Sequence, residues 1–437
     1  MTLTDNVDST TTEQYQRLLS VLEVTKELAA ERSFERLMGL IVRRACEALD
    51  CQRSSLFLYD QDTDELYTRW VTKLEIDEIR LPSSKGVVGV AVNERQAVFV
   101  DDPYAHPKFD PSFDRATGFR TRNIVCMPLV SWSDGRLLGV LQLLNKPSGV
   151  FSPWERELIN AFAAHAAIAV ERAILTEHYR QKTRIEIELD AAREIQSGFF
   201  PHELPRPPGY ELAAFHQPAD ATGGDYYDAI PLAGGRLGLV MADVSGHGLG
   251  PSLLMATMRA MLRGILPRES RPDRVLSELG EALTPDLSPE TIDPRSRRFR
   301  FITVLYGTLD PTEHIFHYAN AGHGPLTLHF AAATGQIRNL VDDPAHGAPL
   351  GIIKEPFELC APVPLASGDL LVLGTDGVVE ARRGNEMFGM ERIGELLRRH
   401  HREPLEKLVD YLIAASKEFH EGPPADDLTL LVARRGH

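Results

Sequence analysis

Four short stretches carry residues that could do chemistry together. Thr222-Gly223-Gly224-Asp225-Tyr226-Tyr227-Asp228 and Ala242-Asp243-Val244-Ser245-Gly246-His247-Gly248 set aspartate among glycines, and Thr375-Asp376-Gly377 and Ala425-Asp426-Asp427-Leu428-Thr429 follow much later. Hard divalent ions such as Mg²⁺ and Mn²⁺ prefer oxygen ligands, so carboxylates without His-Cys spacing point to them and away from zinc. Glycine lets backbone and ion approach where a side chain would interfere. Two such ions about 3.5–4 Å apart can hold a hydroxide in line for attack on phosphorus and neutralise the leaving oxygen. No nucleophilic side chain is then needed.

Strand-like runs must position these aspartates. Arg236 to Ala242 reads as a buried strand ending at Asp243, Leu370 to Leu373 runs toward Asp376, and Leu428 to Ala433 runs out of Asp427. After Gly248, Pro251 suits a first helical turn, and Leu254, Met258, Met261, Leu262 and Ile265 form a core-facing stripe. Thr303 to Leu309 and Ile315 to Tyr318 flank Asp310-Pro311 as a hairpin. All four acidic stretches therefore lie at strand ends.

Upstream, the polar residues 1 to about 12 read as a disordered lead, and Leu18, Leu19, Leu22 and Leu28 begin a helical pattern. Ser33 is placed to cap a second helix with Leu37, Ile41, Ala45 and Leu49 on one face. Strands over Ser54 to Tyr59, Glu65 to Val71 and Leu137 to Leu144 follow, with a turn at Asp134-Gly135. From Ser152-Pro153 a helical pattern runs to about Gly198, with an imperfect heptad seam through Ile168, Leu175, Ile185, Leu189 and Ala192. Pairing with its copy in a homodimer is expected, a solvated connector being the alternative. Phe199-Phe200-Pro201 and the proline-rich 204–209 end it, and the two phenylalanines should bury against the catalytic half.

At 437 residues the chain exceeds one ordinary core. We expect a tail and helix over 1–31, a sensory domain over 32–172, a helical linker over 173–203 and a catalytic domain over 204–437. A net charge of −15 disfavours nucleic acid and anionic membranes as partners. The scattered Cys46, Cys51, Cys126 and Cys360 argue against disulfides and thiolate zinc sites. A polar start without a signal pattern, and no apolar run judged long enough to span a bilayer, lead to a cytoplasmic expectation.

Two resemblances sharpen this. Gly86-Val87-Val88-Gly89-Val90-Ala91, Val98 to Asp102 and Gly139-Val140-Leu141-Gln142-Leu143-Leu144-Asn145-Lys146 resemble a GAF sensory domain. The resemblance implies a small-molecule ligand, a cyclic nucleotide or another, at Asn145, Lys146 and Phe151. Glu155-Arg156 stands where cyclic-nucleotide binders carry Asp-Glu, and the alternative is that the three residues only end a strand and fill a core.

The second resemblance covers nearly all of 204 to 435. The four acidic stretches, Asn320-Ala321-Gly322-His323, Gly368-Asp369 and Phe388-Gly389 occur in the order and spacing of the bacterial PPM-type serine/threonine phosphatases. These stress-response and sporulation enzymes act on anti-sigma-factor antagonists. The resemblance implies an α+β chain in which a GAF domain joins, through the long helix, an α/β/β/α sandwich phosphatase. It implies two Mn²⁺ or Mg²⁺ ions held by Asp225, Asp243, Asp376 and Asp426 with the Val244 carbonyl. Asp228 and Asp427 stay open between metal and structural roles. Ser245 stands where other PPM enzymes carry histidine, so His247 is not assigned an acid role, and His247 and His323 are expected to be structural. Two alternatives remain: a cyclase-like enzyme, from Gly-Gly-Asp, although Tyr226-Tyr227 replaces Glu-Phe, and a non-catalytic binding module.

Overall fold

The computed structural model describes residues 15, 19, 21–72, 78–287, 300–352, 356–422 and 424–436. The reading of residues 1 to about 12, and of Leu18, lies outside them. Two compact units divide between Arg184 and Ile185, inside the helix Pro153–Ser197.

In the first unit, six antiparallel strands lie in the order Ile79–Pro82, Glu65–Val71, Arg53–Asp60, Leu137–Leu144, Ile124–Val130, Val98–Val100. Strand periodicity sends Leu56 and Leu58 to one face, and Arg53, Ser55 and Phe57 to the other. The first face packs against the helix Phe34–Ala48, through Leu37, Met38, Ile41 and Ala45, and against Ile159, Phe162 and Ala166 of the long helix. Ser33 caps as expected, its hydroxyl accepting from Arg36 N at 3.4 Å. The second face is covered by the helix Gly86–Glu94, whose Val87, Val88 and Ala91 meet Phe57, Ile124 and Val140.

One expectation is corrected here. The helix Pro153–Ser197 contains an 18-residue window of mean hydropathy 1.4, long and apolar enough by composition to cross a bilayer. Half of that window is buried, because its apolar residues fill the core of the first unit instead. Ile168, Leu175 and Ile185 of the seam stand exposed.

In the second unit two five-stranded antiparallel sheets face each other. One is ordered Val363–Pro364, Ile315–Ala321, Ile302–Asp310, Leu237–Val244, Tyr226–Pro231; the other Gln336–Asn339, Thr327–Ala331, Leu370–Gly374, Leu428–Arg435, Tyr210–Gln217. Tyr227, Leu239, Met241 and Leu305 from the first meet Leu371, Leu373 and Leu431 from the second. On the outside, the helices Leu249–Ile265 and Pro272–Leu287 cover the first sheet, with Met255, Met258, Leu262 and Leu279 against Val240 and Val304. Gly389–His400 and Leu405–Phe419 cover the second. This is an α/β/β/α sandwich, and the hairpin at Asp310-Pro311 forms as the sequence predicts. Phe200 stacks on His216 at 4.1 Å between centroids, and Phe199 lies under the Arg259 guanidinium, so both phenylalanines pack on the catalytic half but stay half-buried.

Candidate active site

Strand ends from both sheets bring the aspartates to one place. Asp225 precedes the strand Tyr226–Pro231 and Asp243 closes Leu237–Val244, both in the first sheet. Asp376 follows Leu370–Gly374, and Asp426 precedes Leu428–Arg435, both in the second. The link across the sheets is direct: Asp225 Oδ2 accepts from Thr375 Oγ1 at 2.7 Å and Thr429 Oγ1 at 2.5 Å. Those two hydroxyls sit in the quoted motifs, yet spacing alone gives no sign of their role.

The electrostatics are those of like charges gathered in a dry place. Burial, then Asp243 and Asp427, push the Asp225 carboxyl well above the carboxylate range. Burial, then Asp376, Asp426 and Asp427, push Asp243 up to about 8, and its hydrogen bond with Asp225 only partly offsets this. Asp376 is pushed up to about 6 by burial, then by Asp426 and Glu380. Asp426, exposed as a residue, is raised too, first by loss of water around the carboxyl and then by Asp427 and Glu380.

Asp427 is different. It is buried, its Oδ1 accepts from Ala219 N at 2.8 Å and its Oδ2 from Gly224 N at 2.8 Å and Asp225 N at 3.3 Å. It ties down the loop that carries Asp225. A Cβ at Gly223 would lie 2.1 Å from the Asp427 carboxylate, and one at Gly224 2.7 Å from the Val244 carbonyl oxygen, so both positions require glycine. Asp228 also has a structural partner: Arg263 donates to its Oδ2 at 2.6 and 3.1 Å and Tyr226 Oη at 2.5 Å.

Among the described residues, no group of three or more His, Cys, Asp or Glu side chains is gathered so as to hold a metal ion unaided. Hard divalent ions keep waters and take carbonyl oxygens, so these paired carboxylates with the Val244 carbonyl fit such an ion only when water completes the shell. The mutual raising of the carboxyls is what a cation would relieve.

The surrounding motifs are scaffolding. Buried His323 contacts the carbonyl oxygen of Gly374 through Nε2 at 3.2 Å, which fixes the proton there, and accepts from Thr303 Oγ1 through Nδ1 at 2.9 Å. Burial holds its imidazole down to about 4. Asn320 closes the turn by bonding both backbone groups of His323. His247 is exposed and pairs with Asp220 at 2.6 Å. Ser245 Oγ accepts from Phe301 N at 3.1 Å.

Sequence reading did not single out Gln196, at the end of the long helix. It is buried; its Nε2 donates to Gly223 O at 2.7 Å and its Oε1 accepts from Gly223 N at 3.1 Å. Arg193 adds bonds to Ala221 O and Asp220 O. A polar residue in an amphipathic pattern gives no warning of such a clamp.

In the first unit, Asn145, Lys146 and Phe151 are held by protein groups. Asn145, with a left-handed φ of 59°, accepts from Arg122 N and donates to Gln52 and to Arg120 O. Lys146 pairs with Glu155 and lies over the Phe151 ring. Phe151 meets Phe99 edge-on at 6.0 Å. The cavity on the helix Gly86–Glu94 side, about 280 Å³, is lined by other residues.

Residues 233–436 match the family described as Stage II sporulation protein E (SpoIIE), and residues 33–170 match the GAF domain. Phosphoserine phosphatase RsbU of Bacillus subtilis is 25% identical over 251 residues, covering 57% of this chain and 71% of that protein. Probable 3',5'-cyclic phosphodiesterase pde-5 of Caenorhabditis elegans is 28% identical over 198 residues, covering 41% of this chain but only 27% of that protein. The SiaA-PP2C domain of Pseudomonas aeruginosa, 25% identical, covers 58% of this chain and 98% of its own with a TM-score of 0.48. The chain thus joins a GAF domain to a SpoIIE-type phosphatase domain of the PPM class.

Proposed function

We propose that the second unit is a metal-dependent phosphoprotein phosphatase, hydrolysing phosphoserine or phosphothreonine on a regulatory protein of the anti-sigma-factor-antagonist kind. The observation that carries this reading is the meeting of Asp225, Asp243, Asp376 and Asp426, from four strand ends of two sheets, with their carboxyls raised by burial and by one another. Asp225, Asp243, Asp376, Asp426 and the Val244 carbonyl would hold two Mn²⁺ or Mg²⁺ ions, which supply the activated water and neutralise charge on the phosphoryl group. Thr375 and Thr429 fix the Asp225 carboxylate, and Asp427 fixes the loop behind it. The name of the Bacillus subtilis relative supports phosphoserine as the substrate group.

Regulation through the GAF domain, a homodimer formed along the exposed seam at Ile168, Leu175 and Ile185, and a cytoplasmic setting belong to the same reading. The Gln196 clamp gives it a physical route, since displacement of the helix end removes two hydrogen bonds from the loop that carries Asp225. A model aryl phosphate tests the chemistry. Hydrolysis should require Mn²⁺ or Mg²⁺ and vanish in Asp376→Asn; turnover that survives chelator, or that variant, refutes the reading. Incubation with GTP separates it from a cyclase, for which a cyclic product is required.

A further inference from the structure

A short hairpin, Arg382–Arg383 with Glu386–Met387, is clamped onto the helix Leu405–Phe419 and the residues just after it. Arg383 donates to Glu418 O at 2.9 Å and lies over the Phe419 ring at 4.7 Å. Glu421 N donates to Arg382 O at 3.2 Å, and Arg382 N donates to His420 Nδ1 at 3.3 Å. Neighbouring strand residues point to opposite sides, so with Arg383 on the ring Arg382 is turned the other way. There it lines a cavity of about 370 Å³.

That cavity adjoins the acidic centre. Asp426 and Gly377, the neighbour of Asp376, line it together with Glu380, whose charge helps to raise both Asp376 and Asp426. The helix is tied to these loops by Ser416 Oγ, which donates to Val378 O at 2.8 Å, and it contributes Lys417. Lys417 Nζ donates to the neutral Gln217 Oε1 at 2.6 Å and lies over the Phe215 ring at 4.8 Å. Among the described residues neither Lys417 nor the Arg382 guanidinium forms an ion pair. Exposed cations need no counter-ion for stability, so what distinguishes these two is their place, in one cavity with a metal-site carboxylate of a chain whose net charge is −15.

We propose that this cavity seats the chain flanking the phosphorylated residue of the substrate protein, and that Arg382 and Lys417 receive an acidic side chain there. The two residues thereby select phosphosites with an acidic flank over those with a basic one. The proposal rests on the phosphatase reading and adds a sequence preference to it. The phosphoryl group itself goes to the metal-site carboxylates and their ions, and a side chain three residues along an extended segment lies about 10 Å further on.

Steady-state hydrolysis by the full chain in Mn²⁺ tests this with phosphoserine peptides that carry Glu or Lys three residues before, or three residues after, the phosphoserine in an otherwise neutral sequence. On one of the two flanks kcat/KM should be at least about fivefold higher for Glu than for Lys, carried by KM, as suits an exposed ion pair. Added salt should shrink the ratio by screening. Arg382→Glu combined with Lys417→Glu should invert it to favour Lys. Because the ratio compares two substrates on one enzyme, any loss of folded or metal-loaded protein cancels, and a merely structural role for the two cations leaves the ratio where it was. Equal rates for Glu and Lys on both flanks in the wild type, or a Glu preference that survives the double charge reversal, would overturn the proposal while leaving the phosphatase reading intact. A wild type that hydrolyses neither the peptides nor a model aryl phosphate, which has no flank, refutes the phosphatase reading itself and the proposal with it.

Discussion

The carboxylate end of the sandwich and the Asn145–Phe151 segment of the GAF domain were both read from motifs, and they differ in how their polar groups are satisfied. Lys146 is matched by Glu155 and Asn145 by three protein partners. Asp243 instead lies against Asp225 on one side and feels Asp376 on the other, and among the described residues no cation forms an ion pair with these three. The same contrast recurs within three residues: Asp228 has Arg263, whereas Asp225 has two hydroxyls and a second carboxyl. A buried charge with its own partner is accounted for within the fold; like charges gathered without one are what the proposed metal ions would neutralise.

The largest effect that could break this contrast is at Asp243. Asp243→Asn should lower turnover by at least about a thousandfold, because several kcal/mol of charge stabilisation is lost. Its effect on stability should reverse with metal. Its folded-state carboxyl is raised from 3.8 to about 8, so its contribution is full below the lower value and is lost as pH rises through the higher one. In chelator at pH 8, Asp243→Asn should therefore melt above wild type, and in excess Mn²⁺ below it. Melting below wild type in both conditions would mean that Asp243 is scaffold.

Next comes the matched pair. Glu155→Ala leaves Lys146 buried with only a ring beside it and should cost about 3 kcal/mol in urea unfolding of the first unit. Adding Lys146→Met should restore most of that, whereas a double variant as unstable as the single one would show that Lys146 packs by other means.

The smallest effect is at His323, a scaffold group that borders the site. Its imidazole is held at about 4 against an ordinary 6.5, so the folded state resists protonation. Its stabilisation is complete above the ordinary value and is lost as pH falls toward the folded one, about 2 kcal/mol between pH 7 and pH 5. Urea titrations at the two pH values should show this loss in metal-saturated wild type and a smaller one in His323→Gln. Equal losses would assign the acid sensitivity elsewhere.

Much of the fold was legible because strand and helix periods were unambiguous. The runs beside Asp243, Asp376 and Asp427, the Ser33 cap and the long helix all stand in the structure close to where they were expected. The bilayer expectation failed because a helix built to fill a core and one built to cross a membrane share a composition. Gln196 and Arg263 were not legible, since each acts across the fold on a residue far away in the chain.

By itself the sequence determined which residues were chemically able: aspartates at the ends of apolar runs, set among glycines that no side chain could replace. Only the tertiary structure decided which aspartates are matched. Asp228 and Asp427 have their answering donors in a helix and in backbone amides brought in by folding, while Asp225 and Asp243 are left facing each other. Charge compensation is a property of neighbours in space, which spacing along the chain does not specify.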